Sequence, residues 1–189
     1  QTITFTTIDE TITYADSLDL SDNYTLTTSG ITGLSNVYDA APSGSSIALA
    51  TVYSSNPTIS IVATGATTST SGNTEAGSYT ITLSLSGGTA NSGYSIASPT
   101  NTGTLTVNAK TLSATASVAD KTYDGTAAAT ATLTLTGVVS GDTVTSTNSS
   151  TFSQSDTGTG ITATVNSITL TGTDSGNYSI SSGQTDTAD

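Results

Sequence analysis

The sequence predicts an all-β protein, built as two tandem antiparallel β-sandwich modules of immunoglobulin-like kind stacked end to end. Three observations carry that expectation. Apolar residues alternate with polar ones along most of the 189-residue chain, as in Tyr79-Thr80-Ile81-Thr82-Leu83-Ser84-Leu85, and a period of two is the signature of a half-buried strand. Serine and threonine make up about two-fifths of the residues, and threonine on a solvent face keeps β-propensity without adding charge. The chain also repeats itself at long range, so one pattern of strands serves twice.

The strands follow in order. Ile3 and Phe5 share a face in the first, and Ile59, Ile61 and Ala63 share one in a middle strand. Tyr79, Ile81, Leu83 and Leu85 form the clearest inward row of the first half. In the second half the rows are Leu112/Ala114/Ala116/Val118, Ala131/Leu133/Leu135 and Ile161/Ala163/Val165. After Val165 the phase slips by one and Ile168 and Leu170 continue the row, which predicts a bulge or tight turn at Asn166-Ser167. Only Ala40 to Ala50 leaves room for a short helix. Ser86-Gly87-Gly88, Ser140-Gly141-Asp142 and Gly158-Thr159-Gly160 mark turns.

The repeat has two anchors. Leu85-Ser86-Gly87-Gly88-Thr89-Ala90-Asn91-Ser92-Gly93-Tyr94-Ser95-Ile96 matches Leu170-Thr171-Gly172-Thr173-Asp174-Ser175-Gly176-Asn177-Tyr178-Ser179-Ile180, and Ile12-Thr13-Tyr14-Ala15-Asp16 matches Lys121-Thr122-Tyr123-Asp124-Gly125. The seam falls near Val107-Asn108-Ala109-Lys110, with no proline- or glycine-rich linker. Domains of residues 1–109 and 110–189 follow.

Composition removes several classes of function. The chain has two basic residues, Lys110 and Lys121, against fourteen acidic ones, for a net charge of −12. Nucleic acid needs clustered Lys or Arg to neutralise phosphates, and an anionic membrane surface needs the same. No apolar run approaches the roughly 18 residues of a membrane helix. Histidine and cysteine are absent, so a serine nucleophile would have only a lysine or a carboxylate as its base. Of the two glutamates, Glu10 and Glu75, both sit in turn-like surroundings rather than as an acid pair across a cleft. No enzymatic activity is expected. The chain carries no signal peptide and no methionine, and reads as a piece of a longer secreted chain.

In the second half, Lys121-Thr122-Tyr123-Asp124-Gly125-Thr126, Ser140-Gly141-Asp142-Thr143-Val144, Phe152, and Leu170-Thr171-Gly172 running into Gly176-Asn177-Tyr178 resemble the YDG repeat of large bacterial surface adhesins, filamentous-haemagglutinin-like proteins among them. Residues 1–109 resemble the companion MBG-type repeat through Ile12-Thr13-Tyr14, Ala76-Gly77-Ser78-Tyr79 and Asn91-Ser92-Gly93-Tyr94. Ala15-Asp16 stands where that family usually has Gly-Asp. The resemblance implies tandem repeats forming a stalk or fibre at a bacterial cell surface, and it brings no catalytic residues.

Four groups of residues are candidates for a defined role. Tyr123 is expected to bury its ring as a tyrosine corner does, with Asp124 closing the turn and Gly125 supplying a positive φ. Tyr178 beside Asn177 would lock the last strand to the first, with Tyr14 and Tyr94 doing so in the first module. Asp16, Asp19 and Asp22 lie in an acid-rich run with Asp9, Glu10 and Asn23, the oxygen-rich setting that calcium takes. Asp120, Asp124 and Asp142 form a second calcium reading, and no other cofactor is implied. Lys121 and Asn177 are the pair for an internal amide cross-link, with Asp124 or Asp142 as the assisting acid, provided the amine is desolvated and neutral.

The expected function is a rigid, acidic spacer in adhesion or biofilm, with neighbouring repeats as partners. Two alternatives stand beside it. A binding module for surface carbohydrate or a matrix or host protein would show Tyr38 and Tyr53 exposed together. A self-assembling fibre subunit would offer Thr2 to Ile8 as a free edge strand.

Overall fold

In a computed structural model the chain is nearly all β, and residues 2–20, 24–28, 35–37, 53–55, 57–182 and 184–188 are described. It divides into two compact units. The first holds Gln1–Ile12, Asp16–Ala66 and Gly77–Val107, and the second holds Thr13–Ala15, Thr67–Ala76 and Asn108–Asp189. The main division, at 107/108, lies two residues before the expected seam. Two short pieces from the first half of the sequence belong to the second unit, for a reason given with the site below.

The first unit contains β1 (Thr2–Thr7), β2 (Glu10–Thr13, its last residue in the second unit), β3 (Tyr24–Thr28), β4 (Ser35–Val37), β5 (Tyr53–Ser55), β6 (Thr58–Thr64), β7 (Gly77–Ser86), β8 (Thr89–Ala90), β9 (Ser95–Ile96) and β10 (Thr104–Asn108, entering the second unit at Asn108). One sheet runs β4-β3-β1-β9, a second runs β2-β10-β7-β6, and β5 pairs with β8. Phe5, Tyr53 and Leu83 form its buried cluster, with Ile59, Ile61, Leu85 and Tyr94 packed against it. The predicted row on β7 holds, since Ile81 and Leu83 are buried while Tyr79 and Leu85 are half-buried. Tyr94 therefore serves this core, apart from Tyr14, which belongs to the second unit.

The second unit contains β11 (Lys110–Val118), β12 (Ala128–Ala129), β13 (Ala131–Thr136), β14 (Thr145–Phe152), β15 (Ile161–Thr171), a single 3-10 turn (Ser175–Asn177), β16 (Tyr178–Ile180) and β17 (Thr185–Ala188). Its sheets run β13-β11-β16 and β12-β14-β15-β17. Leu112 and Ala116 on β11, and Ala163 and Val165 on β15, supply the buried apolar side chains. The bulge is where the phase slip put it. Ser149 pairs with Ser167 but Ser150 pairs with Val165, so Asn166 is the extra residue. The segment Ala40 to Ala50 lies outside the described residues.

Two expectations are corrected. The sheets are mixed rather than antiparallel throughout, because β9 pairs parallel with β1 (Ile3 opposite Ile96) and β16 pairs parallel with β11 (Lys110 opposite Tyr178). Parallel neighbours require a long crossover, and here each short closing strand returns beside the strand that opened its sheet. The same Tyr-Ser-Ile sequence supplies both, so the sequence repeat is also a topological one. The second correction concerns β1. It lies between β3 and β9, so Thr2 to Ile8 offers no free edge for assembly.

Candidate functional site: a tyrosine–aspartate cluster

A polar cluster of the second unit gathers at one end of the β14–β15 hairpin. Asp142 stands in the turn three residues before β14, and Asp174 three residues after β15. Tyr178 opens β16 and is buried, with its backbone paired to Lys110. Tyr14 follows directly on β2, where its N–H donates to the carbonyl of Asn108 at 2.8 Å. The segment Thr67–Ala76 folds back on itself through Ser69 N–H to Asn73 O at 2.9 Å and Glu75 N–H to Thr67 O at 3.0 Å. A side-chain bond from Thr67 to Glu75 closes it.

Asp142 is the hub. One carboxylate oxygen accepts the Ser71 N–H at 3.0 Å. The other accepts the Tyr178 hydroxyl at 2.6 Å and the Tyr14 hydroxyl. Tyr178 in turn accepts the Val139 N–H at 3.0 Å. The Tyr14 hydroxyl also bonds Ser69 Oγ at 2.5 Å. A phenol has a single proton, and an acceptor-only carboxylate claims it more strongly than a serine. Ser69 is then left to return a proton to the phenol oxygen. The two rings meet edge to face, with centroids 5.2 Å apart and planes at 72°, the geometry that the aromatic quadrupole favours.

Asp174 and Asn177 extend the cluster. Asp174 is 1% exposed, and its oxygens accept the N–H groups of Thr70 at 2.9 Å and Thr143 at 2.7 Å. Asn177, 3% exposed, accepts the Ala76 N–H at 2.7 Å. These bonds explain why residues 13–15 and 67–76 group with the second unit: Tyr14, Thr70, Ser71 and Ala76 all donate into it.

Electrostatics follow from the donors. Burial pushes the Asp142 carboxyl up, but hydrogen bonds from Ser71, Tyr14 and Tyr178 outweigh it and hold the group at about 2. Asp174 is lowered by the Thr143 N–H and then the Thr70 N–H. The Tyr178 phenol is raised, by burial first and by the Asp142 carboxylate second. Both acids are thus anionic at neutral pH, and their oxygens are occupied by backbone amides and phenols. Such an arrangement fixes positions.

The Lys121 to Thr126 stretch is architectural in part. Asp124 accepts both the N–H and the hydroxyl of Thr126 at 2.9 Å, an aspartate closing its own turn. Gly125 has φ +78°, and a methyl group on its α-carbon would meet nothing within 4 Å. Lys121 pairs with Asp124 at 2.8 Å and donates to Thr126 and to the carbonyl of Ala128. Its side chain holds Asp124 low, at about 2, with the Thr126 bonds adding to the effect. Tyr123 departs from expectation. Its ring is 63% exposed and borders an open cleft of about 150 Å³ with Phe152, Gln154, Asp156 and Ile161. The turn closes without the phenol, so nothing draws the ring into the core.

The remaining candidates do not assemble. Lys121 and Asn177 share no partner: the lysine is committed to Asp124, Thr126 and Ala128, while the amide serves Ala76. The cross-link pair is not brought together, the amine being held in an ion pair with Asp124. Asp16 and Asp19 are exposed, Asp22 lies outside the described residues, and no group of three or more acidic side chains among the described residues is placed to hold a metal ion. Of the second calcium set, Asp142 and Asp124 are occupied as above.

Sequence reasoning missed Asp174, although Asp174-Ser175-Gly176-Asn177 carries the turn signal that could have marked it. It also missed Ser69 and Ser71, whose role depends on partners far along the chain. Comparison with curated proteins and with solved structures gives no match. The second half is recognised: residues 108–188, which carry Asp142, Asp174, Asn177 and Tyr178, are a YDG domain.

Proposed function

We propose that this chain is a structural repeat segment of a secreted bacterial surface adhesin, in which an MBG-type repeat and the YDG domain form tandem β-sandwich modules. It acts as an acidic spacer, outside the cell and at its surface, with neighbouring repeats as its partners. One observation carries the reading: the buried Asp174 and Asn177 and the part-buried Asp142 of the YDG unit are spent on backbone amides and phenols, which is the chemistry of a lock. A net charge of −12 with only two lysines supports a soluble, protease-resistant exterior. Among the described residues no helix is long and apolar enough to cross a membrane.

The binding alternative needed Tyr38 and Tyr53 exposed together. Tyr53 is instead 2% exposed in the core of the first unit, where burial raises its phenol, and Tyr38 lies outside the described residues.

Small-angle scattering of the full chain tests the spacer. Two sandwich modules with strands of six to eight residues, in line, give a maximum dimension on the order of 60–80 Å. A profile matching a single sphere of the same mass would refute it.

A further inference from the structure

Tyr14 and Tyr123 occupy matching places in the internal repeat, yet they differ in surroundings. Tyr14 is 1% exposed, with its hydroxyl on the Asp142 carboxylate and its ring on Tyr178. Tyr123 is 63% exposed. The match extends to a second segment. Residues 67–76 lie in the connection from β6 to β7, and 153–160 connect β14 to β15, where β7 and β15 are equated by the repeat that ends each in Leu85 and Leu170. The first connection works with Tyr14, donating the N–H groups of Thr70, Ser71 and Ala76 to Asp174, Asp142 and Asn177. The second lines the cleft beside Tyr123.

The Tyr123 end (the plug) and the cluster that receives Tyr14 (the socket) lie at opposite ends of one hairpin. Asp142 and Asp174 flank the end where Thr145 pairs with Thr171. Tyr123 borders Phe152 and Ile161, at the end where Phe152 pairs with Ala163. Eleven residues of β15 separate the two by on the order of 30 Å at about 3.3 Å per residue. A surface that presents a plug at one end and its complement at the other makes head-to-tail contacts, which propagate in a line.

The geometry points to the Tyr123 end, together with residues 153–160, as the docking surface for a second copy of the YDG unit, whose Asp142, Asp174, Asn177 and Tyr178 would take Tyr123 as they take Tyr14 here. The match is one of donor to acceptor. The socket offers carboxylate and amide oxygens, and the plug brings an exposed phenol. This deepens the spacer reading and rests on it: the YDG unit carries its own repeating joint.

The test extends the full chain by a second copy of residues 108–188 joined directly after Ala188, as Asn108 follows Val107. Tyrosine nitration by tetranitromethane is mapped by mass spectrometry. A short connection gives an effective concentration on the order of 1 mM, so a joint with Kd near 0.1 mM leaves about one Tyr123 in ten open and slows its nitration about tenfold. Asp142→Ala in the appended copy alone restores the fast rate. Equal nitration of Tyr123 in the original and extended chains overturns the proposal, whether the appended copy folds apart or does not fold. Protection of Tyr123 in the original chain by added oligosaccharide, without protection by the appended copy, overturns it too and assigns the cleft to a ligand. An elongated scattering profile with Tyr123 unprotected removes the joint and leaves the spacer, whereas Tyr123 protected in a compact particle does the reverse.

Discussion

Replacing Asp142 with alanine removes the acceptor on which three donors converge. Tyr178 loses the acceptor of its proton inside a buried site. Tyr14 falls back on Ser69, already at 2.5 Å, and the part-buried Ser71 N–H turns to water. A hydrogen bond to a charged group is worth about 1.5–3 kcal/mol, and an orphaned buried donor costs a comparable amount. Counting Tyr178 in full and the other two at a discount gives a loss of about 3–5 kcal/mol. Relief of the repulsion between Asp142 and Asp174 offsets a little of it. Against a domain stability of about 5–15 kcal/mol, that is enough to separate the second unit's transition from the first. The assay is urea unfolding followed by far-UV circular dichroism and tyrosine emission, the chain having no tryptophan. Asp142→Asn keeps the shape and one acceptor oxygen, and is expected to lose about half as much, roughly 1.5–2.5 kcal/mol. A loss below about 0.5 kcal/mol for Asp142→Ala, the range of an ordinary surface change, would refute the reasoning.

Further outcomes are expected. Asp142 and Asp124 sit at about 2 against an ordinary 3.8, and Asp174 is lowered too. Their contribution is therefore complete above about pH 4 and lost as pH falls towards 2; acid melts that stay level between pH 4 and 2 would contradict this. The raised Tyr178 phenol acts at the other end. Its stabilisation is present below about pH 10 and is lost above it, because the unfolded state ionises first, and Tyr178→Phe should flatten that alkaline loss. Gly172→Ala places a methyl 2.4 Å from the Thr143 carbonyl at φ +109°, beside Asp174. It should cost more than about 2 kcal/mol by chemical denaturation, whereas Gly125→Ala, with open space around it, costs about 1. Ala15 holds φ +70° next to Tyr14, so Ala15→Gly should raise the melting temperature, with a gain of about 0.5–1 kcal/mol. The intact mass should equal that of the uncross-linked sequence, and a deficit of one ammonia would overturn the placement of Lys121 and Asn177.

The strand rows were legible because their cause is local. A period of two put Ile81 and Leu83, and Ala163 and Val165, on the buried face, and one slipped position marked Asn166 as the bulge. The parallel pairing of β9 and β16 was not legible: strands of two and three residues carry too little pattern to declare a direction. The destination of Tyr14 was hidden for a different reason. Its partner Asp142 is 128 positions away, and no local signal encodes a contact at that separation. Tyr123 was misread because a shared motif specifies a turn without specifying what covers the ring. Asp124 and Gly125 close that turn unaided, so the tyrosine is free to face outward. Asp142 was noticed as an acid and read as a candidate for calcium or cross-link chemistry. Its role depends on two phenols and an amide brought in from residues 14, 178 and 71.

The claim beneath this account is that Asp142 and the phenols act as one unit. A double-mutant cycle tests it directly, with Asp142→Ala, Tyr178→Phe and the pair measured by urea unfolding in the full chain. The account predicts that the combined variant loses less than the sum of the two, by about 1–2 kcal/mol. Losses that add to within about 0.3 kcal/mol would mean that the two side chains do not work together in solution, and the lock would have to be abandoned.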